Sequence, residues 1–116
     1  MLLTPFCPPS GIPYLASQNR PGGVLYCPLT QSVTIGRGAD NDLVIDDSFP
    51  GWPTVSRRHA MVEYNGTRAL VVDQGAANGV YVNGQRTGTN VLQDGWTVGF
   101  GQVEFTYRVN RGGDAL

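Results

Sequence analysis

Apolar residues along this chain fall into short runs separated by turn-forming residues, and no window keeps them at helical spacing for three turns. β-prone runs cover 13–16, 24–29, 32–35, 43–45, 59–64, 68–73, 80–82, 85–86, 97–100 and 103–109. The last, Val103-Glu-Phe-Thr-Tyr-Arg-Val109, alternates apolar with mostly polar residues, as a half-buried strand does. Asn65-Gly66 and Asn83-Gly84 stand between adjacent runs, where a two-residue hairpin needs positive φ at both positions and Asn-Gly tolerates it. Asp94-Gly95 marks a third turn. About ten short strands linked by hairpins in roughly one hundred residues predict an all-β sandwich or barrel.

The 116 residues suffice for one domain with a real core and are too few for two. No internal repeat or domain boundary interrupts them. Residues 1–11, Pro-rich, and 110–116, Gly-rich, read as loosely ordered tails around a domain at 12–109. The C-terminal stretch also leans towards a piece of a longer chain. Gly 16 and Pro 8 agree with many tight turns.

Charge narrows the function classes. A formal net charge of −1 argues against nucleic acid as a partner, because binders of the phosphate backbone present a basic face. No apolar run approaches a membrane span, so membrane insertion is not expected. The N-terminus lacks a basic region, and Pro interrupts it before a signal-type apolar run forms. A cytoplasmic location is therefore expected, with Cys7 and Cys27 as free thiols. Asn65-Gly66-Thr67 matches a glycosylation sequon, but the turn accounts for it without secretion.

Three clusters lie in loops or at strand ends: Gly36-Arg37, Ser56-Arg57-Arg58-His59, and Asn78-Gly79 with Val82-Asn83-Gly84. Their chemistry suits an oxyanion. An Arg guanidinium grips phosphate bidentately, a Ser hydroxyl and backbone N–H groups add donors, and Asn both donates to and accepts from a peptide backbone. The combination fits a phosphorylated side chain on an extended peptide.

In this order and spacing the clusters resemble the signature of the forkhead-associated (FHA) domain family. The similarity runs from about Pro13 to Val109 and includes Tyr14-Leu15, the Tyr26-Cys27-Pro28-Leu29 run and the Leu92-Gln-Asp-Gly95 turn. The resemblance implies an eleven-stranded sandwich that binds phosphothreonine peptides at one apical edge. It implies that Arg37 pairs with the phosphate, that Ser56 bonds a phosphate oxygen, that Arg57 adds a phosphate contact and that Asn78 holds the peptide backbone. Gly36, His59, Gly79, Asn83 and Gly84 are implied as structural, with His59 tying the binding loops together.

Two departures stand out. Many relatives carry Ser or Thr immediately before the Asn-Gly pair, where this chain has Ala77. One charge-assisted hydrogen bond fewer predicts a site weaker by about 1.5–3 kcal/mol. The segment 46–55 is also several residues longer than usual. It offers Trp52 as a contact for residues after the phosphothreonine, and Asp46 and Asp47 as selectors against acidic peptides.

An enzyme is not expected. His59 follows Ser56 by three residues and Asp73 is an acid available to orient it, but there is no nucleophile elbow, metal cluster or nucleotide loop. No cofactor or metal is called for. The competing reading is a phosphate-independent FHA scaffold within a larger assembly, for which Ala76-Ala77 leaves room.

Overall fold

The computed structural model describes residues 2–109. Eleven strands follow in chain order: β1 (Tyr14–Ser17), β2 (Tyr26–Pro28), β3 (Val33–Gly36), β4 (Leu43–Val44), β5 (Ala60–Tyr64), β6 (Ala69–Asp73), β7 (Val80–Val82), β8 (Gln85–Thr87), β9 (Thr89–Val91), β10 (Thr97–Phe100) and β11 (Val103–Arg108). They form a six-stranded sheet, β2-β1-β11-β10-β7-β8, and a five-stranded sheet, β4-β3-β5-β6-β9. Every pairing is antiparallel except β3 with β4. The all-β sandwich expected from the sequence is the observed architecture, and no described helix is long and apolar enough to cross a membrane.

Each sheet turns one face inward, as period-two side chains require. In β11, Val103, Phe105 and Tyr107 are buried while Glu104 and Arg108 are exposed. They meet Leu15, Val33, Ile35, Val62, Val71, Val98 and Phe100 in one continuous core. Cys7 is exposed and Cys27 buried, both as free thiols. Burial pushes the Cys27 thiol up to about 12, with Asp42 adding to the shift, so it stays protonated.

Three local features differ from expectation. The N-terminal segment is tied down at residues 2–4. The Leu2 N–H donates to the Asp42 carbonyl at 3.1 Å, Thr4 bridges Tyr26, and Leu2 and Leu3 pack on the core. Residues 110–116 lie outside the described residues.

The turn at Asn65-Gly66 is not the two-residue type expected. Tyr64 pairs with Ala69, so the loop has four residues, and the Asn65 side chain caps it by accepting from the N–H groups of Thr67 and Arg68. At Asn83-Gly84 the expected geometry is present, with φ of 51° and 81° between the paired Val82 and Gln85. Finally, β9 has no counterpart among the runs read from the sequence. It pairs with β6 at a sheet edge, and Thr89 and Val91 face solvent.

Candidate functional site

One end of the sandwich, here called the apical edge, gathers the connections β3–β4, β4–β5, β6–β7 and β10–β11. Strand β3 delivers Gly36 and Arg37 against the β4–β5 connection. The Arg37 N–H donates to the Ser56 carbonyl at 3.0 Å and the Gly38 N–H to the Arg57 carbonyl at 3.1 Å. The segments approach so closely that a Cβ on Gly36 would stand 2.1 Å from the Arg57 carbonyl oxygen. Glycine is required there by proximity. Buried Asn41 completes the junction, its amide donating to the carbonyls of Gly38 at 2.8 Å and Arg57 at 2.6 Å.

The Arg37 side chain is exposed but held. Its Nε donates to the Val55 carbonyl, and the guanidinium carbon lies 5.9 Å from the centre of the Trp52 ring, a cation–π arrangement. Its terminal amino groups have no partner among the described residues. Trp52 therefore helps to orient Arg37. The long segment 46–55 is anchored by buried Phe49 and Val55 and contains a 3₁₀ turn at Trp52–Thr54. Asp46 is used locally, accepting from the Ser48 N–H and hydroxyl at 2.9 and 2.6 Å. The Ser48 hydroxyl bond holds the Asp46 carboxyl below its ordinary pKa.

His59 is fully buried under this edge. Its Nδ1 accepts from the Ser56 N–H at 3.0 Å, so the neutral ring carries its proton on Nε2 and donates to the Gly79 carbonyl at 2.7 Å. Burial lowers its pKa, against the opposing influence of the Gly79 carbonyl and Asp73. The imidazole thus joins the β4–β5 connection to the β6–β7 connection. It faces the backbone of Ser56 rather than the hydroxyl. The Asp73 carboxylate caps the N–H groups of Gly75 and Ala76 at 3.0 and 2.9 Å, so these three side chains are not linked as a nucleophile, base and orienting acid.

The Ser56 hydroxyl oxygen accepts from the Ala77 N–H at 3.3 Å, leaving its own proton available to a ligand. The Asn78 side chain donates to the Thr54 carbonyl at 2.8 Å and keeps its Oδ1 unpartnered among the described residues. The Thr54 hydroxyl donates to the Gly51 carbonyl and accepts from the Gln102 N–H at 2.8 Å, bringing in the β10–β11 connection. Gly79 has φ of 75°, and a Cβ there would lie 2.4 Å from the Arg86 Nε. Arg57 is exposed, and neither its side chain nor its N–H has a partner among the described residues, while Arg58 pairs with Asp40 at 2.9 Å on the surface.

Arg37, Ser56, Arg57 and Asn78 therefore converge on one edge, above Gly36, His59 and Gly79. Asn83 and Gly84 do not join them; they form the far turn of the β7–β8 hairpin. Asn41 and Thr54 belong to the site's framework, although nothing in their sequence surroundings singled them out, while exposed Arg86 lies outside it, against Gly79. The roles of Asn41 and Thr54 arise from contacts across 16 and 48 residues of chain, which only the fold creates. The edge presents an Arg fork, a second unpaired Arg, a hydroxyl and a backbone-reading amide. Such a donor set can hold an oxyanion attached to a peptide. Among the described residues no His, Cys, Asp or Glu cluster is suited to a metal ion.

Comparison with known proteins gives matching results. The family model described as FHA domain matches residues 33–101. An oxoglutarate dehydrogenase inhibitor from Corynebacterium jeikeium is 35% identical over 100 residues, which are 85% of this chain and 66% of that protein. The chain spans about half to two thirds of the length of the first curated relatives it matches. A solved structure from work on phosphothreonine-dependent FHA domain interactions superposes with a TM-score of 0.72 and 31% identity, covering 84% of this chain and 95% of that one. Mycobacterium tuberculosis EmbR in complex with a low-affinity phosphopeptide gives 0.74 and 33%, covering 88% of this chain and 25% of EmbR.

Proposed function

Because this chain belongs to the FHA domain family, we propose that it binds phosphothreonine-containing segments and thereby recruits a partner protein phosphorylated by a Ser/Thr kinase. One observation carries the reading: Arg37, Ser56, Arg57 and Asn78 meet at one edge, and each keeps a polar group free for a ligand. Arg37 is oriented by Val55 and Trp52 and grips the phosphate with its terminal amino groups. The Ser56 hydroxyl and the Ala77 N–H, now facing each other, turn to the remaining oxygens. Arg57 adds a contact from its side chain or N–H. Asn78 Oδ1 accepts from the peptide backbone beside the phosphothreonine. Phosphate supplies nearly two negative charges and three acceptor oxygens, which these donors match.

The module is non-catalytic and cytoplasmic in this account. His59 is spent on holding loops, so its place near Ser56 serves binding rather than nucleophilic chemistry. The alternative is a scaffold that ignores phosphate, favoured by Ala77, where no hydroxyl reaches the ligand. The two readings part in a titration with a phosphothreonine peptide library, run beside phosphoserine and unphosphorylated versions. Binding that depends on phosphate and prefers phosphothreonine is expected. Equal binding of all three forms, or of none, overturns the proposal. Arg37→Ala should weaken phosphopeptide binding tenfold or more, since about 1.4 kcal/mol is tenfold.

A further inference from the structure

The outer face of the six-stranded sheet holds a cleft of about 490 Å³ that begins at Ala77 and Asn78 and continues past Gly101 and Gln102 onto the strands. Its floor follows the sheet register. Arg86 of β8 lies beside Tyr81 of β7, Tyr81 beside Gly99 of β10, and Gly99 beside Glu104 of β11. Gly99 is in a strand interior, where glycine costs stability and often marks close approach by another chain. Its φ lies outside the left-handed region, and a Cβ would meet Tyr81 Cβ at 3.4 Å, an ordinary contact. The backbone does not demand glycine there. Its effect is to leave the cleft floor bare between Tyr81 and Glu104.

The two charges in the cleft have no ion-pair partner among the described residues. The Arg86 guanidinium lies against Gly79, beside Asn78, at the end nearest the phosphate site. Glu104 is three strand spacings away, about 14 Å at about 4.8 Å per strand. An extended peptide rising about 3.3 Å per residue covers that distance in about four residues. The cleft is thus continuous with the phosphate site, positive at the near end and negative at the far end.

We propose that this cleft takes the extended stretch of the partner that leaves the phosphate site past Asn78. An acidic side chain sits against Arg86 and a basic one, about four residues further on, against Glu104. The inference rests on the phosphopeptide reading of the apical edge. It adds a charge pattern in the partner, read by the sheet face rather than by the phosphate-binding loops.

Fluorescence anisotropy with labelled phosphothreonine peptides tests it. The parent peptide has Ala on both flanks. Variants carry Glu at single positions on either flank, or Glu followed four residues later by Arg. For the natural chain, Glu on one flank only should raise affinity at least fivefold over the Ala parent, and the added Arg should raise it again. In Arg86→Glu the Glu-to-Ala ratio should fall to one or below, and a Lys peptide should become the better ligand. Glu104→Arg should abolish the gain from the distal Arg. Gly99→Val, which fills the floor, should erase both gains. Melting curves establish that each variant is folded; Arg86 and Glu104 are exposed, so their reversal carries the test if the Gly99 variant unfolds. An unchanged Glu preference in Arg86→Glu, with phosphate dependence intact, overturns the cleft assignment alone. Failure of every phosphopeptide to bind the natural chain overturns the phosphate reading, and this inference with it.

Discussion

The two ends of the sandwich are stabilised in different ways. At the far end, turns are stitched by residues close in sequence: Asn65 caps its own loop through Thr67 and Arg68, and Asn83-Gly84 closes a hairpin between adjacent strands. At the apical edge the bonds run between loops. Asn41 reaches Arg57, His59 reaches Gly79, Asn78 reaches Thr54, and Thr54 reaches Gln102. These two turns are set mainly by local chemistry, although longer bonds also reach that end, from the Tyr64 N–H to the Ser32 hydroxyl and from the Thr97 N–H to the Asn83 side chain, both at 3.0 Å. The apical edge needs the whole fold in place before its side chains are positioned, which suits a site that must present several donors in fixed geometry. Binding and stability should therefore be coupled at the apical edge and separate at the far end.

The largest effect should come from His59→Ala. Removing the ring leaves the Ser56 N–H without a partner, takes one of two donors from the Gly79 carbonyl, which keeps the Gly101 N–H, and opens a cavity beside Phe100. A loss of about 3–5 kcal/mol is expected, seen as a melting temperature lower by roughly 10 °C or more. Phosphopeptide affinity should fall with it. A variant of native stability that binds normally would break the coupling.

Gly36→Ala should come next. The added methyl meets the Arg57 carbonyl, so the β4–β5 connection must shift, at a cost of about 1–3 kcal/mol. Because that connection carries Ser56 and Arg57, affinity should drop more than stability does. Comparing the two losses in one variant sharpens the claim that this junction sets the site's geometry.

Acid should act on the same edge. In the folded chain His59 titrates below its ordinary value of about 6.5, so the unfolded chain takes up the proton first as pH falls. The stability contributed by the neutral ring is complete above about pH 6.5 and is lost as pH drops through the folded value. Protonation would also set an Nδ1–H against the Ser56 N–H. Thermal melts from pH 7.5 to 5 should show a decline that is absent in His59→Ala. Asp46, whose pKa is lowered, contributes above its unfolded value of about 3.8 and is lost only at more acidic pH, so the two windows are separable.

The smallest effect should be at the far end. Asn65→Ala removes two local caps and should cost about 0.5–1.5 kcal/mol with no change in phosphopeptide affinity. A binding defect in this variant would show that the ends are not independent.

The same contrast decides what was legible in the sequence. Strands with a buried face announce themselves by alternation, as Val103 to Val109 does. The turn at Asn83-Gly84 is legible because Asn-Gly meets a local backbone requirement. Strand β9 was missed because Thr89 and Val91 face solvent at a sheet edge, which leaves no alternation to read. Asn65-Gly66 misled because the Asn side chain closes a wider loop instead of entering the left-handed region. The N-terminal segment looked loose because its Pro content hides the pairing of Thr4 with Tyr26.

At the site, Arg37, Ser56, Arg57 and Asn78 were legible from chemistry and resemblance, since they carry the polar groups left free at the apical edge. Asn41 and Thr54 were not, because a buried amide joining two carbonyls has no signature until both loops are in place. Trp52 was legible as notable, but its place beside Arg37 was not. An aromatic residue in a loop can serve a peptide or an Arg equally well, and the turn at Trp52–Thr54 brings it to Arg37.

The most direct test of the account follows backbone amide resonances during titration with a phosphothreonine peptide and its unphosphorylated twin. Phosphate-dependent shifts should be concentrated at Arg37, at 56–58 and at 77–79, with the amides of 65–68 unmoved. Shifts that are equal for both peptides, or centred on the far end, would contradict it.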